Sequence, residues 1–85
     1  MTNEDLDRAM SGRHVSTTHF QQMFVHSHLP PDLAKISSLF GELVIKLLAS
    51  LGDGPEFTVG LRKLLEAKDA FVRQAVIELY AKPRE

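Results

Sequence analysis

From Pro31 to Gly52 the apolar residues return at steps of three and four: Leu33, Ile36, Leu39, Phe40, Leu43, Leu47 and Leu51. At about 100° per residue that spacing lines one side of an α-helix. Pro31 suits the first helical position, where its missing N–H leaves nothing unpaired, and Asp32 suits the positive end of the helix dipole. Gly52 stands where a helix C-cap is expected. The reverse side, with Ala34, Ser37, Ser38, Gly41, Ile45 and Ala49, is mostly small. Small residues let a neighbouring helix come close, so the pattern predicts a helix packed on two sides.

Asp53, Gly54 and Pro55 form a tight connector, and Pro55 with Glu56 opens a second, longer helix. Its stripe is Leu61, Leu64, Leu65, Val72, Ala75, Val76 and Leu79, and Pro83 is expected to end it after about Ala81. A connector this short makes the two helices antiparallel neighbours. Upstream, Thr18 followed three residues later by Gln21 has the capping-box pattern. It predicts a short helix with Phe20, Met23 and Phe24 on one side, stopping near His26 to His28 because Pro30 and Pro31 follow. Residues 1–16 contain Gly12 and no sustained apolar period. They read as a mobile N-terminal tail in which Leu6, Ala9 and Met10 can form one turn on docking.

The fold class is therefore all-α: an antiparallel helical hairpin with a short N-terminal helix, occupying residues 17–82 behind the tail. Two long helices meeting along one seam cannot bury both stripes and the small-residue side. Assembly into a homo-oligomeric helical bundle is expected, as a four-helix dimer core or something larger.

Composition sharpens that expectation. The chain has 85 residues and no cysteine, so neither disulfides nor thiolate zinc sites support so small a core. The formal net charge is −1, which gives no field for a nucleic-acid polymer. No apolar run approaches the roughly 20 residues of a membrane span, and the start, Met1-Thr2-Asn3-Glu4-Asp5, is unlike a signal peptide. A cytoplasmic protein with no membrane partner is expected.

Candidate chemistry centres on Lys68, which falls within the apolar stripe of the last helix. An ammonium there needs an anion, a carboxylate or a route to solvent. Arg62, Glu66, Asp69, Arg73 and Tyr80 share the neighbouring arc. Arg62–Glu66 and Asp69–Arg73 have the i, i+4 spacing of exposed ion pairs, worth a few tenths of a kcal/mol. Guanidinium groups at a subunit junction can also grip phosphates. His26 and His28, with Phe24 and Tyr80, offer flat surfaces for a base, although Phe24 alone reads as ordinary core. Four histidines, His14, His19, His26 and His28, have no metal-ligand spacing, so no metal is expected. No nucleophile turn, oxyanion hole or glycine-rich phosphate loop occurs, which argues against catalysis and against a cofactor.

The segment Phe24-Val25-His26-Ser27-His28-Leu29-Pro30-Pro31, then Gly54-Pro55-Glu56, then Leu61-Arg62-Lys63-Leu64-Leu65-Glu66-Ala67-Lys68-Asp69-Ala70 resembles a known helical-hairpin domain. It is that of phage anti-defence sponges, which sequester the cyclic nucleotide signals of the CBASS and Thoeris systems. The likeness covers roughly residues 20 to 80. It implies a homo-oligomer, dimer or hexamer, with pockets between hairpins, acting in the host cytoplasm if phage-encoded. It implies as ligand a cyclic di- or trinucleotide or a cyclic ADP-ribose isomer, bound without cleavage. By the resemblance Phe24, His26 and His28 line the base, Lys68, Arg62 or Arg73 meets phosphate, and Thr58 donates to a phosphate near a helix start. The family pattern departs at His26, where a tyrosine is expected. A small oligomeric scaffold or adaptor, gripping a partner protein through its helical seam, is the other reading of the same sequence.

Overall fold

The computed structural model describes residues 2–26 and 28–80, with the side chain of Tyr80 not among them. The chain order is α1 (Asn3–Met10), α2 (Val15–Thr18), a 3-10 turn (Gln21–Phe24), α3 (Pro31–Ser50) and α4 (Pro55–Tyr80). Among the described residues all regular structure is helical. The expected helix end after Ala81 and the stop at Pro83 lie outside the described residues.

The first sixteen residues depart from the expected tail. Thr2 caps α1 reciprocally: its hydroxyl accepts from the Asp5 N–H at 3.1 Å, and its own N–H donates to the Asp5 carboxylate at 2.9 Å. Leu6 and Met10, one turn apart, are buried in the core. Two apolar side chains at i, i+4 are enough to dock a short helix when a neighbour offers a surface, and α1 packs on α3 and on the 3-10 turn. Gly12 then turns the chain with φ +79°, the one described glycine in the left-handed region.

The next stretch also differs from expectation. The His14 imidazole, not Thr18, caps the second helix by accepting from the Ser16 N–H at 3.0 Å. Thr18 closes α2, and the following 3-10 turn starts without a side-chain cap. Phe20 and Phe24 nonetheless enter the core, while Met23 is largely exposed.

Helix α3 begins at Pro31 as the sequence predicts. Its buried residues are Leu33, Ser37, Gly41, Val44 and Leu48, so the helix is rotated toward its small side. The expected stripe divides. Leu33 is buried, Ile36, Phe40 and Leu47 are half-buried, and Leu39, Leu43 and Leu51 are exposed. The cause is the number of neighbours: α1, the 3-10 turn and α4 all pack on α3. Ser37, with a small side chain, and Gly41, with none, are buried on this face and leave room for such neighbours.

Gly52 does not cap α3. The helix ends at Ser50, and Leu51 is extended with its N–H bonded to the Leu47 carbonyl at 2.9 Å. Helix α4 starts at Pro55 as expected and runs 26 residues. Leu61 is buried, Leu64, Leu65, Lys68, Val72 and Ala75 are half-buried, and Phe71, Val76, Ile77 and Leu79 are exposed. The rings of Phe40 and Phe71 stack at 5.8 Å between α3 and α4. The molecule is long, about 53 Å by 24 Å by 18 Å. Its core is formed where Leu6, Met10, Phe20, Phe24, Val44, Leu48 and Leu61 meet.

Candidate functional site

Lys68 sets the geometry. Its side chain is only 12% exposed, so its charge needs partners. The ammonium donates to the Met23 carbonyl, stands 3.6 Å from a carboxylate oxygen of Asp69, and lies 5.8 Å from the Phe24 ring centroid. It therefore ties the 3-10 turn to α4. The sequence places Lys68 inside an apolar stripe, and the structure meets that cost with a carbonyl, a carboxylate and a ring face.

Beside Lys68 a pocket of about 510 Å³ opens between α4 and the segment that leaves the 3-10 turn. The α4 wall carries Leu65, Lys68, Asp69, Val72 and Arg73. The facing wall carries Gln22, Met23, Val25, His28 and Leu29. Residues 65, 68, 69, 72 and 73 fall one turn apart on a helix, which is why they share a wall. Arg73 is exposed and its guanidinium has no ion-pair partner among the described residues. The expected pairs Arg62–Glu66 and Asp69–Arg73 do not form. Asp69 turns to Lys68, and the Arg62 guanidinium lies over the Phe20 ring at 5.7 Å.

Of the seven expected ligand residues, three share this pocket: His28, Lys68 and Arg73. Phe24 sits beneath it with no exposed surface, so its ring is core and offers a base no face in this conformation. His26 is half-buried, and its Nε2 is enclosed without a hydrogen-bond partner. Ser27, between the two histidines, lies outside the described residues. Thr58 is about 15 Å of helix rise from Lys68. Its hydroxyl faces the carbonyls of Gly54 at 3.2 Å and Ser16 at 3.4 Å, where α2 meets α4. Arg62 and Thr58 are thus placed outside the pocket. Tyr80 cannot be placed, because its side chain is outside the described residues.

A second polar cluster went unread in the sequence. Arg13 donates from Nε to Asp53 at 3.0 Å, and from its two terminal nitrogens to the carbonyls of Leu48 at 2.8 Å and Leu51 at 2.9 Å. Asp53 also accepts from the His14 N–H at 3.0 Å and from the Thr17 hydroxyl at 2.7 Å. The His14 amide, then the Thr17 hydroxyl, then Arg13 hold the Asp53 carboxyl down to about 2, against the opposing effect of burial. This clamp replaces the glycine cap at the end of α3. Its partners lie 35 to 40 residues apart, beyond any local spacing rule.

The two long helices also leave apolar grooves. One, of about 670 Å³, lies beside the α3–α4 connector and includes Leu47, Leu51, Phe57, Leu61 and Leu64. Another, of about 470 Å³, includes Ile36, Leu39, Phe40, Leu43 and Phe71. No group of three or more His, Asp or Glu suited to a metal ion occurs among the described residues, and no described helix is long and apolar enough to cross a membrane.

Among the described residues, fold and site together define a small all-α chain with a mixed-charge pocket beside Lys68 and exposed apolar helix faces. No protein-family model matches the sequence, and no curated protein or solved structure matches it significantly.

Proposed function

We propose that this protein is a non-enzymatic sponge that binds cyclic nucleotide immune messengers and holds them intact, in the manner of the phage anti-defence proteins its motifs resemble. The observation that carries the reading is the convergence of His28, Lys68 and Arg73 on one open pocket. An ammonium and a guanidinium five residues apart on α4, both lining the pocket, suit a phosphodiester, and the imidazole across the gap is a flat surface for a base. A sponge performs no chemistry on its ligand. It works by mass action, lowering the free messenger below the level the effector needs.

The same reading takes α3 and α4 as an antiparallel hairpin that assembles into a homo-oligomer, dimer or hexamer, in the cytoplasm of an infected host. Exposed Leu39, Leu43, Phe71 and Ile77 support assembly, because large apolar side chains left open on a small domain mark an interaction surface. Those side chains also favour the second reading, an adaptor that captures a partner protein's helix along the grooves.

Native mass spectrometry of the purified protein separates the two. It is run alone and with cyclic dinucleotides, cyclic trinucleotides and cyclic ADP-ribose isomers. The sponge is expected to appear as an oligomer that gains unmodified cyclic nucleotide in integral steps. An oligomer or monomer that ignores every compound leaves the adaptor reading in its place.

A further inference from the structure

We infer that Asp69 is the specificity-determining residue of the pocket, selecting a phosphodiester that carries a hydroxyl or amino donor beside it and rejecting a phosphomonoester. The inference rests on the sponge reading and refines its ligand class.

The carboxylate, ammonium and guanidinium lining the pocket, Asp69, Lys68 and Arg73, have formal charges that sum to +1. A phosphodiester carries one negative charge and balances that sum. A phosphomonoester near neutral pH carries close to two, and its second charge would face the Asp69 carboxylate. Like charges brought together repel, which is how a site discriminates against a near neighbour of its ligand.

Hydrogen-bonding capacity points the same way. The Lys68 ammonium has three protons. One goes to the Met23 carbonyl, and Asp69 stands within ion-pair range of the same group. Lys68 therefore keeps limited capacity for a ligand, and Arg73, without an ion pair among the described residues, is the principal anion contact. Asp69 is about half exposed, with acceptor capacity left after one ammonium contact. A carboxylate in an anion pocket is costly unless the ligand brings a donor to it. Ribose hydroxyls and base amino groups are donors that lie close to a phosphodiester in a nucleotide.

The test measures binding of cyclic di- and trinucleotides, each beside its linear 5′-phosphorylated form, to the wild type, D69N and D69A by calorimetry. Either substitution takes a carboxylate away from the nearly buried Lys68, so circular dichroism and a urea midpoint first establish that each variant is folded. The wild type is expected to favour the cyclic form by about tenfold or more. D69N keeps an acceptor but loses the charge, so it should hold the cyclic form within about threefold while gaining affinity for the linear one. D69A should lose about tenfold for the cyclic form, because the ligand donor is left unpaired. Tighter binding of the cyclic form by D69A would overturn the inference and make Asp69 a mere counterion of Lys68. A wild type that takes only cyclic ADP-ribose isomers, whose diphosphate carries two charges, would overturn it too. A wild type that binds no cyclic compound at all removes the sponge reading, and this inference with it.

Discussion

The Thr17 hydroxyl donates to the Asp53 carboxylate at 2.7 Å, joining the N-terminal arm to the connector that precedes α4. Thr17 has no exposed surface, and its polar atom is satisfied by a residue 36 positions away. With the His14 amide and Arg13 on the same carboxylate, the arm is held by an anion that must stay ionised.

That requirement fixes a pH dependence. The folded-state value of Asp53 is lowered from 3.8 to about 2, mainly by the His14 amide and the Thr17 hydroxyl. A lowered carboxyl value means the unfolded chain binds the proton more readily. The contribution is fully present above the unfolded value and is lost as pH falls from about 4 toward 2. Circular dichroism of urea midpoints across pH 2 to 6 should show this loss in the wild type. D53N should start less stable and lose less of its stability over that window. A variant whose pH profile parallels the wild type would assign the acid sensitivity elsewhere.

Phe24 gives a test of site against core. It has no exposed surface and belongs to the central cluster. Phe24→Ala should cost about 3–5 kcal/mol, enough to unfold many domains of this size. Thermal denaturation reads it directly. A folded, stable F24A protein with selectively weakened ligand binding would return Phe24 to the role of base platform.

Lys68 and Arg73 should separate when each is replaced by alanine. Lys68→Ala removes a charged donor from the Met23 carbonyl and should cost roughly 1–2 kcal/mol. Arg73→Ala touches no ion pair among the described residues and should stay within about 0.5 kcal/mol of the wild type. Its effect should instead be on affinity for cyclic nucleotide, a loss of about tenfold. Urea denaturation and ligand titration of the same two variants supply both readouts. Equal stability of the two proteins would show that the Lys68–Met23 contact contributes nothing.

Ser37 is fully buried on α3, and its hydroxyl has no hydrogen-bond partner. An unmet buried hydroxyl costs free energy, and alanine is the better helix former. Ser37→Ala should therefore raise stability by about 1 kcal/mol, measured as an upward shift in urea midpoint. A loss of stability would mean that the hydroxyl bonds a group in solution.

The sequence announced both long helices, because Pro31 and Pro55 are local signals and the apolar period is strong. It marked both the apolar stripe and the small side of α3 for packing, but not that part of the stripe, Leu39, Leu43 and Leu51, stays exposed. Periodicity gives the direction of the apolar stripe, and here three neighbours settle instead against Leu33, Ser37, Gly41, Val44 and Leu48. The N-terminal arm was missed for a related reason. Leu6 and Met10 make too short a pattern to stand alone, and what orders them lies on α3. Of the site, Lys68 was legible because a charge broke the stripe. Arg73 shares the α4 wall with Lys68 by helix spacing, whereas His28 joined it through the chain's path after the 3-10 turn, which spacing does not encode. Thr58 and Arg62 share the helix with Lys68 but sit too far back along it.

Arg13 has a consequence for the order of events in folding. The carbonyls of Leu48 and Leu51 receive their donors from a residue 35 to 38 positions earlier, so the end of α3 is completed only when the arm has docked. A nascent chain can wind most of α3 alone, while its final turn frays until that long loop closes. Amide hydrogen exchange at the last turn of α3 therefore reports on the arm, and a cut near Gly12 would loosen a helix end far downstream in the chain.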